Sequence, residues 1–225
     1  MDSVDRQHVL QAITPLCKDI PSDIVHDFVS RMDPEYFLRV DSTAVASHVR
    51  LAAKLTPDHL CELEIAEQRG GHFALTIVAY DYFAEFATIC GLLSAFGLNI
   101  EEGQIYTFTD AASPSAGKSP RVGARRRPTT RPGLNRKKIV DLFRVQPVQG
   151  VPFEPVDQAR LGGELRSVIG LLDTNQFAEA RHAVNRQLVE QLGKRRGSFS
   201  GLLHPVHITF DNSRSATDTI MDIRS

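Results

Sequence analysis

Residues 72–110 read HFALTIVAYDYFAEFATICGLLSAFGLNIEEGQIYTFTD, and the spacing of apolar residues along this stretch decides the fold class. A run rich in β-branched and aromatic residues, Phe73 to Ala79, gives way to a helical pattern and then to a second strand-like run, Leu98 to Thr109. That is a β-α-β unit in under forty residues. Phe86, Ile89, Cys90 and Leu93 fall at the i, i+3, i+4, i+7 spacing of one helix face, and Gly97 stands where a helix C-cap is expected. Ile100 and Ile105 have opposite strand parity, so both reach one core only across a bulge, for which Gly103 is the expected place.

On the N-terminal side, Val9, Leu10, Ile13 and Leu16 predict a short helix bent near Pro15. Ser22 and Ser42 are the expected N-caps of two further helices, one carrying Ile24, Val25, Phe28 and Val29, the other Val45, His48, Val49, Ala52 and Leu55. The first seventy residues therefore read as a helical segment. His26-Asp27 matches the metal-binding dyad of HD phosphohydrolases, but the further ligands have no counterpart, and a polar helix face accounts for the pair. His48 likewise reads as a hydrogen-bonded helix histidine at a packing edge.

On the C-terminal side, residues 111–136 break the pattern: Pro114, Pro120, Pro128 and Pro132 with Gly117, Gly123 and Gly133 leave no apolar period. The segment is expected to be a disordered insertion whose removal leaves the fold intact, because loop-closure entropy varies slowly with length. From Lys118 to Lys138 there are nine basic residues and no acidic one; setting them aside leaves 17 basic against 27 acidic residues, a balance of about −10. This cationic arm can meet RNA, an acidic protein face or its own acidic body, or stay solvated. Ala116-Gly117-Lys118-Ser119 resembles the end of a phosphate-binding loop, yet Ala112 replaces the first glycine and no strand or helix flanks it.

Strand character resumes at Lys138, with Ile139, Phe143 and Val145 facing one way and Val140 and Leu142 the other. Leu161, Leu165, Val168, Ile169 and Leu172 make one helical stripe, and Phe177, Ala180, Val184, Leu188 and Leu192 a second. Two strand-like runs, Pro205 to Phe210 and Ala216 to Ile223, complete the chain.

Taken in order, Tyr80-Asp81 at a strand end, an apolar helix, Gly97-Leu98-Asn99-Ile100, Gln104-Ile105-Tyr106-Thr107 and Asp141-Leu142-Phe143-Arg144-Val145-Gln146 resemble an ACT domain. More narrowly they resemble the regulatory region of the PII-protein uridylyltransferase/uridylyl-removing enzyme family. Asp33-Pro-Glu-Tyr-Phe-Leu-Arg and the helix bearing His48 extend the likeness to the N-terminal part. The resemblance implies an α+β, ferredoxin-like β-α-β-β-α-β domain over residues 72–210, preceded by the helical segment 1–70. It also implies that residues 211–225 begin a second ACT domain, so that the chain reads as a fragment or a truncated relative.

The resemblance further implies a sensor. In such domains a small amino acid, glutamine in this family, lodges where the first strand-to-helix loop of one domain meets the second strand of another. By position the loop is Asp81, Tyr82, Phe83 and Ala84, and the facing strand begins at Leu98, Asn99 and Ile100. Asp81 would face the ligand amine or, alternatively, N-cap the helix. Phe83-Ala84 stands where the family has Pro-Gly, which narrows the space for a ligand. The runner-up expectation is thus a dimerisation or docking module without a pocket.

Composition sets the outer limits. With 225 residues, 42% hydrophobic and 24% charged, the chain is long enough for one or two globular domains, and a net charge of −1 makes no whole-molecule case for nucleic acid or membrane. Cys17, Cys61 and Cys90 lack any CxxC spacing, which points to a reducing, cytoplasmic setting without disulfide or metal site. No leader or membrane-spanning run is recognised. Uridylyl transfer needs a Gly-Ser turn with spaced aspartates to hold Mg²⁺; Gly197-Ser198 has none after it, so no catalytic residue, metal or cofactor is expected. Any catalysis would belong to a domain outside these residues. The expected partners are a glutamine-like effector and a second copy of the chain.

Overall fold

The computed structural model describes residues 5–82, 84–109, 136–148, 151–194, 207–211 and 220–224. The chain divides into two compact units, Met1–Gln191 and Leu192–Ser225. Most of the insertion 111–136 lies outside the described residues, as do Phe83, the Ala116–Ser119 motif and Gly197-Ser198.

The first unit opens with four helices, α1 (Arg6–Ile13), α2 (Ser22–Arg31), α3 (Pro34–Arg39) and α4 (Ser42–Ala53), with a 3₁₀ turn at Thr14–Leu16 where Pro15 interrupts the helical path. The expected serine caps are one residue off. Ser22 and Ser42 are the first helical residues, Pro21 and Asp41 hold the cap positions, and Asp41 Oδ1 accepts from Thr43 N at 2.8 Å and Ala44 N at 3.0 Å. A carboxylate satisfies two orphan N–H groups and also complements the helix dipole.

The helical reading of residues 1–70 fails after residue 53, because Cys61–Gln68 forms strand β1. Cys61, Leu63 and Ile65 alternate with Glu62 and Glu64, and Gly70 and Gly71, both at positive φ, close a hairpin onto β2 (His72–Tyr80). Then come α5 (Glu85–Ala95), β3 (Leu98–Thr107), β4 (Lys138–Pro147), α6 (Pro155–Asp173) and α7 (Phe177–Lys194). The four strands form one antiparallel sheet in the order β1-β2-β4-β3. This is an α+β fold compatible with a ferredoxin-like arrangement.

The final strand of that arrangement differs from expectation. Pro205–Phe210, expected to close the domain over 72–210, is not in the four-stranded sheet: the strand beside the outer edge of β2 is β1, while β5 (His207–Asp211) pairs with β6 (Ile220–Arg224) in a separate two-stranded sheet. A three-residue turn brings β1 to β2 at far lower closure entropy than a strand beyond α6 and α7 could manage. The strand expected to begin a second domain within 211–225 is accordingly the second arm of a hairpin.

Both faces of the sheet are covered. Leu75, Ile77, Ala79, Ile139, Phe143 and Val145 pack under Ile89, Leu92 and Leu93 of α5, Leu161, Leu165 and Ile169 of α6, and Ala180 and Val184 of α7. On the other face Val78, Tyr80, Tyr106, Phe108 and Val140 meet Val25, Phe28, Tyr36, Val45 and Val49 of the N-terminal helices. Central strands buried on both sides read as near-continuous apolar runs, which is why β2 shows so little polar alternation.

The predicted bulge exists, but at Glu101 rather than Gly103: Ile100 pairs with Val145 and Glu102 with Arg144. It places Ile100 and Ile105 on one face. Ile105, on the edge strand, stays 46% exposed, Phe86 is 37% exposed, and Cys90 is half-buried rather than buried. Gly103 serves a different purpose, since a Cβ there would stand 3.3 Å from the Phe143 ring. Among the described residues no helix is long and apolar enough to cross a membrane.

Candidate functional site

The β2–α5 connection carries the first half of the expected site. Asp81 N donates to Lys137 O at 2.9 Å, extending the β2–β4 ladder by one bond, and leaves its exposed side chain at the strand end. Asp81 is not the N-cap of α5. That position belongs to Ala84, in the left-handed region at φ 62°, ψ 13°, without a side-chain cap bond. The carboxylate that serves the helix start comes from inside it: Glu85 Oε2 accepts from Tyr82 N at 3.1 Å.

The Tyr82 side chain is fixed by two neighbours. Its hydroxyl donates to Asp173 Oδ1 at 3.1 Å, and Arg136, itself 2.7 Å from Asp173 Oδ1, lies over the Tyr82 ring at 4.8 Å and the Tyr80 ring at 4.7 Å. Stacking on two rings suits a weakly hydrated, planar guanidinium. Burial above all raises the Tyr82 hydroxyl pKa, keeping it a neutral donor to Asp173. Ala84 also lines a cavity of about 550 Å³ between α5 and α7, with Thr88, Gly91, Phe177, Arg181 and Val184.

The second half of the expected site is at the far end of the sheet. Leu98 is buried, Asn99 exposed and Ile100 half-buried, and Leu98 pairs with Pro147 whereas Tyr80 pairs with Lys138. Nine residues along β4 amount to about 30 Å. Within one chain the two halves cannot share a ligand; only two copies could bring them together.

Beneath the connection lie two acids that the sequence reading did not single out. Asp141 is fully buried with both carboxylate oxygens unpartnered among the described residues, and Glu85, 3% exposed, has Oε1 unpartnered. Burial pushes Glu85 up to about 9, with Asp141 and Asp81 adding to the rise against the Tyr82 N–H. Asp141 is pushed up to about 7 by burial and then by Asp81. Desolvation favours the neutral acid wherever no cation compensates. One signal was visible in the sequence: Asp141 has the same strand parity as Ile139, Phe143 and Val145, so it must face the core.

The two histidine candidates part company. His26 is exposed and Asp27 stands 3.5 Å from Arg31, with no metal-ligand grouping among the described residues. His48 is buried and hydrogen-bonded through Nδ1 to Tyr36 Oη at 2.6 Å. Burial lowers its pKa to about 4, so the ring is neutral.

Chemically, the exposed Asp81 offers an anionic acceptor at a strand end, and Asn99 an amide at the opposite one. No protein-family model matches the chain, and no curated protein matches it.

Proposed function

We propose that this chain is a regulatory, amino-acid-sensing module of the ACT type, akin to the regulatory region of the PII uridylyltransferase/uridylyl-removing family, acting in the cytoplasm with a glutamine-like effector. The observation that carries the reading is the backbone of Ala84. The family has glycine at this place, and here an alanine holds the left-handed conformation that glycine adopts without cost. An αL backbone at this place is what a loop of the ACT type would need. With Asp81 free of capping duty and Asn99 exposed, the two halves of a site stand ready to meet between two copies, the Asp81 carboxylate facing the effector's ammonium group.

Tyr82 favours a second reading. Its hydroxyl and ring are committed to Asp173 and Arg136, so the connection is already filled from within, as suits a dimerisation or docking module without a ligand.

Thermal melts of the full chain with glutamine separate the two. A sensor of an abundant metabolite binds at about millimolar affinity, near −4 kcal/mol. A hundredfold excess over the dissociation constant then adds about 2.7 kcal/mol of stability. Asp81→Ala should abolish that gain with little effect on intrinsic stability, since Asp81 caps nothing, and Ala84→Gly should keep it. A melt that no amino acid shifts, from a chain that still dimerises, leaves the docking reading in its place.

A further inference from the structure

A second cavity, of about 430 Å³, opens along α2 and the last turn of α4 beside the ends of β2 and β4. Three cations line it, Arg31, Arg136 and Lys138, against two acids, Asp23 and Asp27. The cations are held in unequal ways. Arg136 is committed to Asp173 and to the tyrosine rings.

Arg31 is only 5% exposed. Its Nε donates to Thr109 O at 3.2 Å, its Nη1 stands 3.5 Å from the Asp27 carboxylate, and its Nη2 has no hydrogen-bond partner among the described residues. Among the described residues Lys138 Nζ makes one long hydrogen bond, 3.4 Å to Ala52 O. Both cations lie over the Phe108 ring, Arg31 at 5.4 Å and Lys138 at 5.9 Å to the centroid. A buried guanidinium with an unmade bond is destabilising, and two cations sharing one ring add repulsion to it. Burial and then the nearby Arg31 lower the Lys138 pKa, against the attraction of Asp27.

An oxyanion would relieve all of these strains together. It accepts from Arg31 Nη2 and from the uncommitted Lys138 protons, and it screens the two charges from each other. Apart from Thr56 and Tyr80 the rest of the lining is apolar, with Ile24, Leu55 and Pro57 among it, so the occupant carries a carbon body as well as a charged head. We propose that this cavity binds a small organic oxyanion, its carboxylate or phosphate head between Arg31 and Lys138 and its body against Ile24, Leu55 and Pro57.

The test uses the full chain, inorganic phosphate and succinate as probes, and sodium chloride at matched ionic strength as reference. A saturable rise in melting temperature beyond the chloride reference is expected with at least one probe. A response to phosphate alone identifies a phosphate head, and to succinate alone a carboxylate head. Lys138→Gln and Arg31→Lys should each raise the half-saturating concentration at least tenfold. Should Arg31→Lys not fold, Lys138→Gln decides the matter by itself. The proposal is overturned if neither probe exceeds chloride, or if the response survives Lys138→Gln. It is equally overturned if the response vanishes when Arg125, Arg126 and Arg127 are replaced by Gln, which would place the anion on the basic segment.

Discussion

Glu85 and Asp141 tie the stability of this protein to pH more tightly than its exposed charges can. Both acids are protonated in the fold well above the usual carboxylate range, Glu85 up to about 9 and Asp141 up to about 7. The native state therefore binds more protons than the unfolded chain, and stability falls as pH climbs. The loss begins near pH 4 to 4.5, where unfolded carboxylates ionise, and runs to about 7 for Asp141 and about 9 for Glu85. For Glu85 alone it amounts to roughly 3 kcal/mol by pH 7. Glu85→Gln should raise stability at pH 7 by about 1–3 kcal/mol and flatten the decline toward pH 9; denaturant melts across pH 5–9 would show it, and an unchanged slope would refute it. His48 acts in the opposite sense. Neutral in the fold and lowered to about 4, its contribution is full above the unfolded value near 6.5 and is lost as pH falls toward 4.

Helix α5 shows how close packing overrides local propensity. A helix-interior glycine ordinarily costs about 0.5–1 kcal/mol relative to alanine. At Gly91, however, a Cβ would stand 3.0 Å from Val184 Cγ1 of α7, whereas at Gly163 and Gly170 of α6 nothing lies within 4 Å. Overpacking costs about 1–3 kcal/mol, more than the propensity gain. Gly163→Ala and Gly170→Ala should each stabilise by about 0.5–1 kcal/mol, and Gly91→Ala should destabilise by about 1 kcal/mol or more. A stabilising Gly91→Ala in the same denaturant series would mean that α5 and α7 are free to part.

The three layers of the first unit make the N-terminal residues part of the domain rather than a preface to it. Without residues 1–70, β2 loses one of its two partner strands, and Val78, Tyr80, Tyr106, Phe108 and Val140 lose their covering helices. Burying one such side chain is worth about 1.5–3 kcal/mol, so exposing five costs as much as the whole stability of an ordinary domain. A protein of residues 71–194 should therefore aggregate or lack a cooperative melt, whereas 5–194 should unfold cooperatively; a cooperative transition in the shorter chain would show that the sheet stands alone. The covered faces also bear on how copies can associate. Within the first unit, sheet-on-sheet contact through either face is closed, which leaves the edges β1 and β3 for the pairing that the sensing proposal requires.

Residues 72–109 specify their own strand-helix-strand order, because composition, period and capping are local: the β-branched and aromatic run of β2, the α5 stripe and Gly97 at φ 72° are consequences of neighbouring residues alone. The need for a bulge between Ile100 and Ile105 also follows from parity, though not its place at Glu101. The partner of β2 depends on which chain segment reaches the sheet most cheaply, and no pattern within β1 or within residues 205–210 states that competition. Asp81 was readable as an exposed acid at a strand end, and the core-facing parity of Asp141 was readable too. That Glu85 and Asp141 are buried with unpartnered carboxylate oxygens, that Arg136 fills the space between Tyr80 and Tyr82, and that Arg31 and Lys138 share one ring are different in kind. They arise from segments tens of residues apart, and only folding decides which charges meet and which are left without a counterion.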